Sequence, residues 1–471
     1  MPEDLVERIE SDINNYNSLE NLREKFIKDG YLEKDIDEAI FRITKKSKGT
    51  IRLSRAVKVF SWKEVLDRIG YGFVTHQFIN ILLYMIGAGY FLIGLLNGLR
   101  SLLSLLISSF LQEYTKLHDL SKGFISKSGI LFGFSFLLMA AAIKMKLLWL
   151  FSASLLIGAI GVVTYGNFYN KIIHETIKKE KMTHFLIRIS YYGVLITMVA
   201  FLVSAFLLDK FPMDGPLISI FGARYPVYGY LLSFEISAFA FILSGYFINF
   251  LDYRPQEKKY RLSKFLVTFL KKIGEEMGVF KKRLVFLLLV LSIMISATQL
   301  LGNSYYGIFI YRNFDNVGFG GFMNVAIIFS VALLVSFAGP ILTKKIERAI
   351  GVTPMIVFGS LLMAFMPFTL AYNPGLIAIG VANAISVMGA VIVGVAMSLL
   401  AKRLMTDEER KKYYSAMSIA SILPLLILIT GGAYLAQSYG LTTFFIGISI
   451  AIAFIVMPIA FALVYLSNAK V

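Results

Sequence analysis

Long apolar runs alternate with short polar segments along most of this chain. Twelve such runs, each of about 20 residues, follow one another between residue 69 and residue 466. Because an apolar helix of about 20 residues spans the hydrocarbon core of a bilayer, the pattern predicts twelve transmembrane helices. The predicted spans are 69–88, 90–111, 124–143, 147–169, 185–208, 225–251, 284–311, 317–342, 352–372, 375–401, 413–436 and 441–466.

A strongly basic stretch, residues 252–283, separates the first six spans from the last six. It carries ten Lys or Arg residues against four Asp or Glu residues. From Leu262 onwards, apolar residues recur at three- and four-residue steps with lysines between them, which is typical of a basic amphipathic helix on an anionic membrane surface. A solvated charged linker is the alternative. We therefore predict one bundle over 51–251, with a basic approach to the membrane over 51–68, and a second bundle over 284–471.

The basic residues between the spans predict the orientation of the chain. Loops on one side of the predicted membrane are rich in Lys and Arg. Loops on the other side hold only Lys144, Lys146, Lys210, Arg224 and Arg312. Since basic loops stay in the cytoplasm, both termini are predicted to be cytoplasmic, in a multi-pass protein of the cell membrane. The net charge of +17 is thereby assigned to orientation, so no nucleic acid partner is expected.

Residues 1–50 are charged and lack the apolar run of a signal peptide, so we interpret them as a small cytoplasmic domain. Three short helices are predicted over 3–14, 18–29 and 33–44, with Gly30 ending the second. The run FIKDGYLEKDIDEAIFRI resembles the ubiquitin-associated type of three-helix bundle. That resemblance implies a cytosolic protein partner, and a tether or folding cap without a ligand is the alternative.

Composition and motifs exclude most catalytic chemistry. The chain is 57% hydrophobic and contains no cysteine, which removes thiol catalysis, disulfides and cysteine-based metal sites. It has no GxxxxGK[ST] phosphate loop, and Lys178 occupies the position of the second histidine that an HExxH zinc site needs after His174. The other histidines, His76, His118 and His184, are too scattered for a metal cluster. We therefore expect no enzyme activity, no cofactor and no ATP-driven pumping, which leaves gradient-driven transport.

Short polar turns carry a likeness to a known family. After the second span stands SFLQEYTK, with Glu113 and Tyr114, and after the eighth stands GPILTKK, with Gly339, Lys344 and Lys345. The loop AKRLMTDEERKKYYSAM after the tenth span is also basic. With six plus six spans around a basic inner loop, these turns resemble the GxLxDRxGRR-like signature of the major facilitator superfamily, although Glu113 and Tyr114 stand where the family carries Asp and Arg.

The resemblance implies an all-α membrane fold of two six-helix bundles. It assigns Glu113, Gly339, Lys344 and Lys345 to a gating motif on the cytoplasmic side, where charges and helix ends hold the bundles together until the protein opens inward. Ordinary positive-inside loops are the alternative for these turns.

Charged residues inside the spans are the first candidates for chemistry, since a charge within a membrane is costly and faces a cavity or a partner. Arg100 in the second span and Glu235 in the sixth each lie ten residues from the outer end of their span. At ~1.5 Å per residue both are predicted to lie ~15 Å deep. We therefore expect them to pair, with Glu235 as the proton-responsive carboxylate. A purely structural ion pair is the alternative.

Neutral polar residues complete the predicted substrate site. The first bundle adds four residues from its first two spans, His76, Gln77, Asn80 and Asn97. The second bundle offers uncharged hydrogen-bonding and aromatic groups, Gln299, Asn303, Tyr306, Asn324 and Asn383. This division suits a site in which the first half handles a proton or another coupling ion and the second half holds the solute. An interior histidine and ordinary hydrogen bonds between helices are the alternatives.

The predicted function is secondary active transport of a small solute across the lipid bilayer, coupled to protons and working by alternating access. A carrier of lipids or hydrophobic compounds is the first alternative, and it would have an aromatic cavity open to the bilayer. A non-transporting receptor or scaffold of the same fold is the second, because the extra domain over 1–50 would then report ligand state to a cytosolic partner.

Overall fold

The computed structural model describes residues 9, 19–33, 35–39, 51–117, 122–176, 179–213, 215–220, 223–251, 271, 274–372 and 375–468. Most of the predicted linker helix lies outside these residues, as does most of the first predicted helix of the N-terminal domain. The second helix of that domain is α1 (Leu19–Lys28), and it is followed by Gly30, whose φ of 90° suits a residue without a Cβ. Phe26 on α1 is buried, as is Ile36 beyond the turn.

The first half of the membrane part consists of apolar helices joined by short turns. Its helices are α2 (Ile51–Phe73), α3 (His76–Met85), α4 (Tyr90–Leu117), α5 (Lys122–Lys144), α6 (Leu148–Thr176), α7 (Lys179–Lys210) and α8 (Gly229–Phe247). Two antiparallel strands, β1 (Leu217–Ile220) and β2 (Ala223–Pro226), form a hairpin between α7 and α8. A 3-10 turn (Ile248–Phe250) follows α8. The predicted all-α fold is confirmed, with this hairpin added in a connection between helices.

The first predicted span is divided in the structure. Helix α2 runs without a break to Phe73 and packs on α7 and α8, so the segment predicted as an approach to the membrane is continuous with the first bundle. The chain leaves the helix at Val74 and Thr75. Thr75 then caps α3, because its side chain accepts a hydrogen bond from the Phe78 amide at 3.4 Å.

The second half is also helical. Its helices are α9 (Arg283–Phe314), α10 (Gly321–Ile350), α11 (Val352–Met363), α12 (Phe365–Ala371), α13 (Leu376–Leu404), α14 (Asp407–Ala420), α15 (Ile422–Ala451) and α16 (Met457–Asn468). A 3-10 turn (Met277–Lys281) precedes α9, and a π turn (Ile452–Val456) joins α15 to α16. Gly440 interrupts α15 with a φ of 79°, at the boundary between the eleventh and twelfth predicted spans.

Ten helices of the described part are long and apolar enough to cross a membrane. The first predicted span is not among them, because its helix is divided. The last two predicted spans fall within one continuous stretch, Ile422–Leu466. The count of twelve crossings stays a prediction.

The residues just before α9 contact α14 through a hydrogen bond and an aromatic pair. Thr406 and Glu409 form a capping box at the start of α14, each side chain bonding the backbone amide of the other residue. Lys282 Nζ lies 2.5 Å from Glu409 Oε1, and this hydrogen bond lowers the pKa of Glu409. The rings of Phe280 and Tyr413 meet edge to face, with centroids 5.8 Å apart.

Within each half the helices pack into a bundle. In the first bundle α5 packs on α6 and α8, and in the second bundle α13 packs on α10 and α11. Among the described residues, the two bundles meet most extensively along three helix pairs, α4 with α15, α7 with α10, and α3 with α9, and α4 also contacts α9 and α14. Gly94 and Gly98 of α4 face Ala433 and Ile429 of α15, and the absence of side chains on the glycines lets these two helices approach closely.

Candidate functional site

Hydrogen bonds join the two bundles toward one end of the molecule, which we call the hairpin end because β1 and β2 lie there. The opposite end is called the linker end. Asn97 Nδ2 donates to Asn80 Oδ1 at 3.0 Å and to Ser304 Oγ at 3.1 Å. Asn80 Nδ2 donates to the Ser304 carbonyl oxygen at 3.1 Å, and Gln77 Oε1 accepts from the Gly307 amide at 3.1 Å. We call these five residues the interface network. The predicted site residues Gln77, Asn80 and Asn97 therefore bind α9 directly.

Further contacts join the start of α4 to the second bundle at the hairpin end. Tyr305 Oη donates to the Tyr90 carbonyl oxygen at 2.9 Å, and Arg312 Nη1 donates to Tyr90 Oη at 3.0 Å. The Phe91 amide donates to Gln437 Oε1 at 3.2 Å. Together with the interface network, these bonds hold the two bundles together at the hairpin end.

Asp209, near the end of α7, closes the hairpin end along the other pair of helices. Its Oδ1 accepts from the Phe322 amide at 3.0 Å, and its Oδ2 accepts from the Met323 amide at 2.8 Å. These amides belong to the first turn of α10, where backbone donors lack helix partners and the helix dipole favours a negative charge. Asp209 is not among the site residues predicted from the sequence. Its signal was a carboxylate at the end of one span, facing the glycine-rich start of another.

Two adjoining cavities lie in the second bundle, and neither lining contains a charged residue. The first, which we call the amide cavity, has a volume of about 220 Å³. Its polar lining consists of Thr298, Gln299, Asn303, Tyr306, Asn383 and Ser386. The second, the access cavity, has a volume of about 350 Å³ and extends from Gln299, which lines both, to Tyr413 and Met417 of α14 near the linker end. Four predicted site residues, Gln299, Asn303, Tyr306 and Asn383, thus share one cavity.

Arg100 lies on α4, one turn from Asn97 toward the linker end, and is half-buried. Its Nη1 donates to His76 Nδ1 at 3.2 Å, and His76 is the first residue of α3. Within the described residues, no cluster of three or more His, Asp or Glu side chains could hold a metal ion.

Glu235 does not meet Arg100. Its side chain is exposed on α8, and no ion pair joins it to Arg100 in the part of the chain that the structure describes. Because β2 occupies residues 223–226, α8 begins only at Gly229, and Glu235 lies six residues, or ~9 Å, from that start. Arg100 lies ten residues, or ~15 Å, from the start of α4. The predicted pair at equal depth is therefore wrong for this conformation.

A buried group of charged and hydroxyl side chains lies inside the first bundle, where only a membrane approach was predicted. Lys63 Nζ lies 2.5 Å from Asp67 Oδ2, and both residues are almost fully buried. Ser244 Oγ donates to Asp67 Oδ1 at 2.5 Å and lies 2.7 Å from Tyr165 Oη. The Lys63 ammonium also lies 3.0 Å from the ring centroid of Tyr169, a cation–π contact. We call these five residues the charge cluster.

The predicted gating residues lie toward the linker end. Gly339 is buried on α10, where an added Cβ would lie 2.8 Å from Val391 Cγ1, so this glycine permits close packing of α10 on α13. Lys344 and Lys345 are exposed on the same helix, which continues past the predicted end of the eighth span. The side chain of Glu113 lies outside the described part of the chain.

Asn324 lies at the hairpin end, away from the amide cavity. Its Oδ1 accepts from the Phe319 amide at 3.1 Å, and its Nδ2 donates to the carbonyl oxygens of Phe314 at 2.8 Å and Val317 at 2.6 Å. It therefore holds the turn between α9 and α10, and the prediction that placed it with the substrate-facing residues is wrong.

Comparison with known proteins defines the class of this fold. No protein-family model and no curated protein sequence matches the chain. A solved structure of a mutant of the nucleoside transporter NupG is similar, with a TM-score of 0.70 and 11% identity over 86% of this chain and 99% of that chain. A POT family transporter in complex with 5-aminolevulinic acid has a TM-score of 0.61 and 13% identity, over 88% and 96%.

A bacterial homologue of the iron transporter ferroportin, in its inward-facing state, has a TM-score of 0.60 and 14% identity over 88% of this chain and 99% of that chain. At these identities the likeness defines the fold. The chain is a multi-pass membrane protein with the major facilitator type of fold.

Proposed function

We propose that this protein is a secondary transporter that moves a small solute by alternating access. The observation that carries the proposal is the asymmetry of the bundle interface. Hydrogen bonds join the bundles toward the hairpin end, while the access cavity leads toward the linker end. A carrier of two bundles needs such a closed end opposite a reachable cavity in each of its end states. The transporters of similar fold support the same proposal.

The linker end is proposed to be cytoplasmic, which makes the described state inward-facing. Basic residues concentrate at that end, including Lys344, Lys345, Lys402 and Arg403, and basic loops remain in the cytoplasm. The solute would then leave toward the cytoplasm through the access cavity.

The amide cavity supports the proposal that the solute is small and polar. Its volume of about 220 Å³ is below the ~300–1,000 Å³ of drug-sized ligand pockets. Amide and hydroxyl groups supply its polar lining, and Tyr306 is the single aromatic residue that lines it. A lipid carrier would instead need a wide apolar cavity, so the lining favours a polar solute.

Proton coupling is assigned to Asp67 in the charge cluster. A carboxylate inside a helix bundle in a membrane is costly, and such groups are typical of proton relays. Protonation of Asp67 would remove the nearer counter-charge of the Lys63 ammonium, leaving Glu64 at 3.8 Å as its partner, and so alter the contacts of α2 with α6 and α8. Since α2 leads directly into α3, the change would reach the interface network. Glu235 touches none of these groups and is the weaker candidate.

Cysteine accessibility tests the alternation without knowledge of the solute, because the chain contains no cysteine of its own. A single Asn303→Cys reporter in liposomes should react with a membrane-impermeant thiol reagent added from the linker side. Adding Asp209→Asn should raise the reaction from the hairpin side, since the start of α10 loses its carboxylate. Ser449→Ala, which removes a hydrogen bond within α15 only, is the control. A reporter reached only from the linker side in every variant would contradict transport and favour the receptor alternative.

The same reporter tests the coupling. Its reaction from the hairpin side should depend on pH in the parent protein and become independent of pH in Asp67→Asn. The Glu235→Gln variant should keep the parent's dependence. The reverse pattern would transfer the coupling role to Glu235.

A further inference from the structure

Arg100 is a cation within a membrane-spanning helix, and the described residues offer it no acidic partner. Its side-chain contact is the one with His76 Nδ1, a neutral ring nitrogen that accepts a hydrogen bond without cancelling the charge. A charge in this position is costly unless it is paired or faces a functional cavity. The residue is only half-buried, which leaves room for a partner that the described residues do not supply.

Arg100 lies at the depth of the amide cavity. Helices α4 and α9 run in opposite directions, since Tyr90 contacts Arg312 while Asn97 contacts Ser304. Arg100 lies one turn from Asn97 toward the linker end of α4. Leu300, next to Gln299, lies one turn from Ser304 in the same direction on α9. Three residues of helix on α4 rise ~4.5 Å and four residues on α9 rise ~6 Å, so Arg100 and the polar lining of α9 lie at nearly one level.

The face of α9 at this level is open. Ser296 and Asn303 are exposed on it, and Gln299 between them is half-buried. On α2, the Glu64 carboxylate already has a partner, because Arg68 Nε lies 3.6 Å from Glu64 Oε2. At this level, α4 therefore carries a cation without an acidic partner among the described residues, and α9 carries neutral amide and hydroxyl groups.

We infer that the transported solute carries a carboxylate that Arg100 binds, with its uncharged polar part in the amide cavity. This inference rests on the proposed transport function and adds the chemical class of the solute. A guanidinium presents parallel N–H groups that match the two oxygens of a carboxylate. His76 is a positioning residue, because its contact orients the guanidinium. With the carboxylate bound, the site is electrically neutral, and the bundles close over it with less loss of hydration energy.

The test measures the charge of the site directly with the single Asn303→Cys reporter. Rates of modification are compared for two methanethiosulfonates of similar size, a sulfonatoethyl reagent that is negative and a trimethylammonium-ethyl reagent that is positive. The negative reagent should react faster. In Arg100→Gln the ratio of the two rates should fall by ~10-fold or more, and in Arg100→Lys, which keeps the charge, it should stay close to the parent value.

Lys144→Gln is the matched control, because Lys144 is an exposed cation at the hairpin end of α5 and is not part of the interface network. Its rate ratio should not change. In the parent protein, sodium acetate should slow the reaction of the negative reagent more than sodium chloride does at equal ionic strength, and acetamide should not slow it. In Arg100→Gln, acetate and chloride should have the same effect.

Equal rates for the two reagents, or a ratio that survives Arg100→Gln, would overturn the anion site. Equal effects of acetate and chloride would overturn the carboxylate. Both results would leave the two-sided accessibility of the transport proposal intact. Conversely, a carboxylate-selective site that is reached only from the linker side would leave the carboxylate site at Arg100 standing and remove the transport proposal.

Discussion

The buried amide of Asn80 makes two hydrogen bonds, one to each partner helix. Its Nδ2 binds the Ser304 carbonyl oxygen and its Oδ1 accepts from Asn97. Asn97 Oδ1 is itself buried without a hydrogen-bond partner in the described structure. An unpaired buried polar atom costs ~1–3 kcal/mol, so the closed hairpin end is less stable than full pairing would make it. The unpaired oxygen thereby reduces the free-energy difference between the closed state and an open state.

Asn80→Ala should shift the bundle interface toward opening at the hairpin end. The variant removes two hydrogen bonds and leaves polar groups of Asn97 and Ser304 unpaired, which should destabilise the closed state by ~1–3 kcal/mol. Since ~1.4 kcal/mol is a factor of ten in an equilibrium constant, hairpin-side labelling of the Asn303→Cys reporter should rise by about tenfold. Labelling that stays at the level of the Ser449→Ala control would show that Asn80 contributes nothing to closure.

At the scale of elements, the pairing of α4 with α15 depends on glycines. A Cβ at Gly94 would lie 2.6 Å from Ala433 Cβ and would also meet Tyr305 Oη, which bonds the start of α4. Gly166, in the interior of α6, has nothing within 4 Å of the position of its missing Cβ. Substitution of these two glycines therefore distinguishes the effect of close helix packing on stability from the effect of helix propensity.

Gly94→Ala should lower the midpoint of thermal unfolding, because α4 and α15 must move apart or Tyr305 must lose its hydrogen bond. Gly166→Ala should leave the midpoint unchanged or raise it, since alanine in a helix interior is favoured over glycine by ~0.5–1 kcal/mol. Thermal unfolding of the purified variants in one detergent is the measurement. Equal changes for both variants would contradict the role of Gly94 in helix pairing.

At the scale of the whole molecule, the predicted N-terminal domain buries apolar side chains that belong to neither core of the membrane part. Phe26, Ile36 and Ala39 are buried within residues 19–39. We predict that removal of residues 1–50 leaves the membrane bundles folded, because a separately cored domain shares few contacts with its neighbour. Size-exclusion chromatography of the truncated protein is the measurement, with the full chain as reference. Aggregated protein would contradict the prediction, and a partner lost on truncation would identify a binding role for the domain.

The orientation in the membrane is a second prediction at this scale. A single Glu257→Cys variant, within the basic linker, should be labelled only after permeabilisation of intact cells, because basic loops remain cytoplasmic. A Met145→Cys variant, between α5 and α6, is the matched control and should be labelled from outside. Labelling at residue 257 from outside would overturn the orientation.

Local patterns in the sequence were enough to predict the helical membrane fold and four polar residues that line one cavity. A hydrophobic run of about 20 residues directly indicates a membrane crossing, because a spanning helix makes all its backbone hydrogen bonds internally in apolar surroundings. For the same reason, amides inside apolar spans had to face protein or a cavity. Gln299, Asn303, Tyr306 and Asn383 do meet in one cavity.

Only the tertiary structure decided which groups touch. The partners of Asn80 and Asp67 come from helices 224 and 177 residues away, and the contact of Arg100 with His76 depends on the break between α2 and α3. Glu235 was misplaced because a hairpin replaced the first turn of its predicted span. Such contacts depend on the rotation and vertical register of each helix in the bundle. Periodicity within a single helix does not contain that information, because register is set by packing against the neighbours.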